Sequence, residues 1–119
     1  MLSCLESVRA ACVSVTTNTG HYEAFDKTDK YCVWAEDSET DALAANNYKA
    51  GQTITGTIDY YTKDEDDPNP EKFQNAFNEA GFGWLLNSVQ YEDETGFIHY
   101  EWLFRVRNTF DLEDKEEHG

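Results

Sequence analysis

Trp84-Leu-Leu-Asn-Ser-Val-Gln-Tyr-Glu92, then Asp93-Glu-Thr-Gly96, then Phe97-Ile-His-Tyr-Glu-Trp-Leu-Phe-Arg-Val106: this stretch decides the fold. Two β-rich runs flank a short acidic turn that ends in glycine, which is the sequence form of a β-hairpin. In the second run Ile98, Tyr100, Trp102, Phe104 and Val106 alternate with His99, Glu101, Leu103 and Arg105. A strand sends successive side chains to opposite faces, so the first set lines one apolar face. The first run alternates less cleanly. Simple alternation puts Leu85, Val89 and Tyr91 on one face, and Trp84 and Leu86 on the other with Ser88 and Gln90.

Moving toward the N-terminus, a helix is well signalled before the hairpin. Asn69 is a good N-cap, Pro70 fits the first helical position, and Glu71 suits the positive end of the helix dipole. Phe73, Ala76, Phe77 and Ala80 recur at i, i+3, i+4 and i+7, so one stripe packs on a sheet, and Gly81 closes the helix in the left-handed conformation. Upstream of the acidic loop Lys63–Asn69, residues Gln52 to Thr62 form a strand. Its Ile54, Gly56, Ile58 and Tyr60 face the core, and Thr53, Thr55, Thr57, Asp59 and Tyr61 face solvent or a subunit. Gly56 in mid-strand marks a bulge or a close approach by a helix. Tyr31 to Glu36 is a short, nearly all-apolar strand, expected to be buried on both faces. Leu2 to Cys12 reads as a short helix, which the β-branched run Val13–Thr17 should end. Asn18 to Lys30 is either a short edge strand or an ordered loop. Asp37 to Gly51 is a long connection, and a connection of that length in a small domain is more often a binding loop than idle.

The order is helix, strand, strand, helix, strand, strand. It implies an α+β fold: an antiparallel-rich four-stranded sheet with two helices packed on it. Residues 1–110 are expected to form one domain and 111–119 an acidic, flexible tail.

Hydrophobic residues at 39% and aromatics at 14% belong to a folded chain, while the formal charge of -15 is concentrated in expected loops and the tail. Such an acidic surface argues against specific nucleic-acid binding, which draws its affinity from Lys and Arg on the phosphate backbone. It suits basic partners, or a surface that DNA slides past without sticking. Cys4, Cys12 and Cys32 show no metal-ligand spacing and, being three, make poor material for a disulfide framework; reduced thiols are expected. The N-terminus lacks the pattern of a signal peptide, and no apolar run approaches the roughly 20 residues that cross a bilayer. His99 and Glu101 share a strand face, and such a pair serves acid–base chemistry or metal binding in some proteins but is more often an ordinary surface pair. No catalytic triad order, phosphate loop or zinc-protease helix is present, so no enzyme, cofactor or metal is expected. Asp64-Glu65-Asp66-Asp67 lacks the ligand spacing of a calcium loop. The large aromatics exceed what one small core readily hides: either some sit at a protein–protein surface, where Tyr and Trp are enriched, or all are core or half-buried.

From about Tyr31 to Val106 the chain resembles the small tail-completion, tail-terminator-like proteins of tailed bacteriophages and prophages. The resemblance lies in the element order and in Ala45-Asn46-Asn47, in Thr57-Ile58-Asp59-Tyr60-Tyr61-Thr62, and in Trp84 through Trp102 with Tyr91-Glu92-Asp93-Glu94-Thr95-Gly96 as the turn. It does not extend to the first thirty residues. It implies a non-enzymatic virion protein that assembles in the bacterial cytoplasm into a homo-oligomeric ring, commonly a hexamer. The ring caps the tail tube and meets head-completion proteins at the head–tail junction. On this reading Leu43, Asn46, Asn47, Tyr48, Tyr61, Trp84 and Trp102 are candidate interface residues. Asp64, Glu65, Asp66, Asp67, Glu92, Asp93 and Glu94 are candidates for an acidic lumen that lets DNA pass without binding. The alternative of a different class is a small acidic inhibitor, a DNA mimic, that binds a basic host protein.

Overall fold

The computed structural model describes residues 1–40 and 51–110. A 3-10 turn at Ser3–Leu5 leads into α1 (Glu6–Val15). There follow β1 (Thr19–His21), β2 (Tyr31–Glu39), β3 (Gly51–Thr62), α2 (Asn69–Ala80), β4 (Gly83–Glu92) and β5 (Phe97–Thr109). The strands make one sheet in the order β1-β2-β3-β5-β4. β1 runs parallel to β2, and the other three neighbouring pairs are antiparallel. The expected four-stranded antiparallel-rich sheet is therefore a five-stranded mixed one. The added strand is three residues with a glycine in the middle, too short to show a period of two.

One face of the sheet carries the core. Cys32 and Trp34 of β2, Ile54, Ile58 and Tyr60 of β3, and Trp102, Phe104 and Val106 of β5 join Leu5, Val8, Ala11 and Cys12 from the N-terminal helix and Phe73 and Phe77 from α2 in one buried cluster. Its centre is aromatic: Phe73 and Phe77 each lie 5.4 Å from the Trp102 ring, and Phe77 also meets Phe82 at 5.3 Å and Trp84 at 5.8 Å. The alternations expected for β3 and β5 are those observed, since Ile54, Ile58, Tyr60, Trp102, Phe104 and Val106 are all buried. β2 is covered mainly on one face: Val33 and Ala35 stay half-buried, because no helix among the described residues packs on their side of the sheet.

Local chemistry explains the element ends. α1 runs three residues past Cys12 and ends within the β-branched run expected to stop it, where Thr16 turns to extended backbone. α2 begins at Asn69, but the Asn69 side chain does not cap it. Asp67 takes that part: its Oδ1 accepts the Asn69 backbone N–H at 2.9 Å, and its Oδ2 accepts the Tyr60 hydroxyl at 2.6 Å. The Asn69 amide donates instead to the Tyr60 oxygen. Gly81 ends α2 at φ 84°, a left-handed cap that favours glycine. The close approach at Gly56 is made by the β2 backbone and Phe104 of β5, not by the helix expected from sequence. A Cβ there would stand 2.6 Å from Phe104 Cζ and 2.7 Å from Glu36 Cα, and β2 bulges between Glu36 and Ser38 alongside it.

Candidate functional site

Among the described residues β4 is an outer strand of the sheet, paired on one side, with β5. Its register shifts between Leu86 and Ser88, where Asn87 is the extra residue. A bulge of one residue inverts the facing of everything beyond it. Leu86 is opposite Trp102, Val89 opposite Tyr100 and Tyr91 opposite Ile98, so Trp84, Leu86, Val89 and Tyr91 all lie on the helix-bearing face. Leu85, Ser88, Gln90 and Glu92 lie on the other. The simple alternation expected from sequence, with Leu85 beside Val89 and Tyr91, fails at that bulge. The physical result is that Leu86, Val89 and Tyr91 continue the row beyond Trp84, which packs on Phe77, and that α2 does not cover them. Leu86 is 42% exposed, Val89 50% and Tyr91 65%, with Leu85 at 53% on the opposite face.

Edge strands in natural proteins are commonly shortened, charged, bulged or interrupted by proline. From Gly83 to Tyr91 this edge has its bulge but not one charged residue, in a chain with 28% charged residues. The opposite edge is different. β1 is three residues long, and the chain folds back on it so closely that Gly20 has the Glu23 carbonyl group against its α-carbon.

The helix-free face has two halves. Toward the hairpin turn, Tyr31, Tyr61 and His99 stack across β2, β3 and β5 with ring centroids 4.4 and 4.2 Å apart. Phe97 packs edge-on to Tyr31, and Lys63 lies 4.8 Å from the Phe97 ring centre. His99 Nε2 bonds Asp59 Oδ1 at 2.7 Å. That bond is the largest influence raising its pKa, aided by the charges of Asp59, Glu92 and Glu101 and opposed by burial. The His99–Glu101 pairing weighed from sequence does not form; Glu101 accepts from the Asn87 amide at 2.6 Å. Toward the other end, a groove of about 500 Å³ is lined by Asp37, Thr55, Gly83, Leu85, Leu103 and Arg105 among others. A second histidine–carboxylate contact, His21 to Glu36 at 2.7 Å, sits under the β1 edge with the Tyr22 hydroxyl on the other Glu36 oxygen. Burial works against the Glu36 charge, and these two bonds outweigh it and hold the carboxyl below its usual range. Among the described residues no group of three His, Cys, Asp or Glu could hold a metal ion. Among them too, no helix is long and apolar enough to cross a membrane.

The residues singled out from sequence divide as follows. Leu43, Asn46, Asn47 and Tyr48 fall outside the described residues, as does the segment 111–119. Tyr61 lies half-buried in the aromatic row, and Trp84 lies half-buried at the start of β4, donating its indole N–H to Asn78 at 2.9 Å. Trp102 is not on a surface: it is fully buried, with its N–H on Gln74. Asp64, Glu65 and Asp66 are exposed, as are Asp93 and Glu94, and Glu92 is half-buried. Asp67 is buried at 1% side-chain exposure, with Lys30 Nζ 3.6 Å away, and serves the fold. Burial alone would raise its pKa, but the bonds from Tyr60, Asn69 and Thr62 and the Lys30 charge lower it. The pairing of Thr62 with Ile98 and of Glu92 with Phe97 brings both acidic loops to one end of the sheet. Sequence reasoning missed Leu86, Val89 and Arg105; the signal available was the uncharged run Gly83–Tyr91.

No protein-family model matches the chain, and no curated protein matches it either. Among solved structures it is similar to a chain of the "Virion of native gene transfer agent (GTA) particle". The TM-score is 0.57 at 15% sequence identity, over 90% of this chain and 92% of that one. At that identity the likeness establishes a shared fold.

Proposed function

We propose that this chain is a structural virion protein of a tailed phage or prophage-derived particle. More narrowly, it is a tail-terminator or tail-completion subunit that forms a homo-oligomeric ring, a hexamer, at the head–tail junction. It is assembled in the bacterial cytoplasm and resides in the virion. The observation that carries this reading is the end-to-end likeness of the fold to a chain of a gene transfer agent virion. Two features of the structure support it. The gathering of Asp64, Glu65, Asp66, Glu92, Asp93 and Glu94 at one end of the sheet supplies the acidic surface that lets a genome pass a lumen without binding. The exposed aromatic and aliphatic side chains supply surface for subunit, tail-tube and head-completion contacts. The role is structural rather than catalytic, with residues 1–110 as the folded domain and 111–119 as an acidic tail available for contacts.

Disruption of the gene in a particle-producing host tests the reading. The expected result is filled heads and tails that fail to join, or tubes of uncontrolled length, restored by the gene in trans. Normal, joined particles in its absence would refute it.

A further inference from the structure

We infer that the free subunit pairs with a second copy of itself through β4, edge to edge and antiparallel about a two-fold axis, making one continuous ten-stranded sheet. The inference does not depend on which virion position the chain occupies. It follows from three properties of the edge.

The first is that β4 matches itself. A two-fold contact sets the same strand against itself in reverse, so each residue must suit its mirror position. Set the axis between Asn87 and Ser88, at the bulge. Leu86 then faces Val89 of the second copy, Trp84 faces Tyr91, Leu85 faces Gln90, and Glu92 faces Gly83. In an antiparallel pair, opposite residues share a face. Trp84, Leu86, Val89 and Tyr91 are all helix-side, and Gly83, Leu85, Gln90 and Glu92 are all on the other side, so the facing agrees along the strand. It agrees only because the bulge sits at the axis. With the bulge removed, Leu86 and Val89 would lie on opposite faces.

The second is charge. Glu92 is the sole charged residue of β4, and it falls opposite Gly83, whose β5 neighbour is Arg105. Arg105 is exposed and has no carboxylate partner among the described residues. The two side chains start about 10 Å apart, two strand spacings, with only a glycine between, and extend toward each other on the same face. The pair occurs twice in the dimer. Among the described residues the hydrogen bond to the Glu92 carboxylate comes from Thr95 Oγ1, at 3.4 Å.

The third is that the other edge does not compete. β1 offers three residues, and the loop that follows folds over Gly20 so closely that the Glu23 carbonyl lies against its α-carbon. Among the described strands β4 alone offers a long uncharged edge, so like pairs with like. The paired form also covers Leu86, Val89 and Tyr91, exposed at 42%, 50% and 65% in the single chain. It closes an edge that would otherwise recruit other strands before the subunit reaches its place in a particle.

Sedimentation velocity with light scattering tests this on the full chain. The expected wild-type mass is twice the 13.7 kDa of one chain. Glu92→Arg and Arg105→Glu should each weaken dimerisation by about tenfold or more, and the double swap should recover it. Val89→Lys should be monomeric with an unchanged circular dichroism spectrum. Register is read by cross-linking: Leu86→Cys chains mixed with Val89→Cys chains should form a disulfide-linked dimer, and neither alone should. A monomeric wild type, an assembly indifferent to all these variants, or a double swap as weak as the singles would overturn the pairing. Failure here is separate from failure of the virion reading, which is judged on particles.

Discussion

Gly56→Ala is the sharpest test of how the sheet is built. The position looks harmless, a mid-strand residue paired with Glu36 of β2, beside the bulge, and with Phe104 of β5. A methyl group there would overlap the Ala35 carbonyl oxygen outright and stand 2.6 Å from Phe104 Cζ and 2.7 Å from Glu36 Cα. Ordinary carbon contacts lie near 3.5–4.0 Å, so the deficit is close to 1 Å at two places. Two of the three obstacles are backbone in a paired strand, so no rotamer change relieves them, and Phe104 is itself 2% exposed. Overpacking of a core costs about 1–3 kcal/mol, and a backbone obstacle puts this case at the top of that range, about 3 kcal/mol. For a domain of this length roughly 4 °C of melting temperature goes with each kcal/mol, so the expected loss is about 12 °C. Thermal and urea unfolding of Gly56→Ala beside Thr57→Ala, its neighbour on the helix-free face, provides the assay. The control should stay within about 1 kcal/mol of wild type. A Gly56→Ala protein that melts with the wild type would show that β2 does not approach β3 as described.

Phe77→Ala should cost roughly 3–5 kcal/mol and give largely insoluble protein, because Phe77 joins α2 to Phe82, Trp84 and Trp102; soluble mutant with unchanged melting would mean α2 is not docked. Asp67→Ala should cost about 1.5–3 kcal/mol by stranding the Tyr60 hydroxyl and the Asn69 N–H, and melting curves would show it. The Asp67 pKa is lowered in the fold, so its contribution is present above the ordinary carboxylate value and is lost as pH falls through the folded value; Asp67→Asn should flatten stability against pH in that acid window. The His99 pKa is raised, chiefly by its bond to Asp59, so its contribution is full below about pH 6.5 and is lost as pH rises through the folded value. His99→Gln should remove that slope, and an unchanged slope would show that Asp59, Glu92 and Glu101 do not hold its proton. Burial pushes the Cys32 thiol well above its usual range, so alkylation should spare Cys32 until the chain unfolds.

The elements that alternate or repeat strongly were legible before the structure. β3, β5 and α2 announce their faces through Ile54, Ile58 and Tyr60, through Trp102, Phe104 and Val106, and through Phe73 and Phe77. What was hidden depended on partners distant in sequence. β1 exists as a strand because β2 lies beside it, and Thr19-Gly20-His21 has no pattern of its own. The cap of α2 passed to Asp67 because the Tyr60 hydroxyl draws the Asn69 amide away. Trp102 read as a surface aromatic only while the helix above it was unplaced. The most consequential miss was the bulge in β4. No residue type signals that Asn87 is extra, yet it moves Val89 and Tyr91 to the same side as Leu86 and so creates the apolar row along the edge. The two acidic loops were legible one by one, and their meeting at one end of the sheet came only with the β3–β5 and β4–β5 register.

The virion reading is tested most directly by quantitative mass spectrometry of gradient-purified particles from the producing host. The account predicts this chain in intact particles at a fixed low copy number, a ring of six, and its retention in isolated head–tail junctions. Its absence from washed particles, with the protein confined to the soluble lysate, would contradict the account.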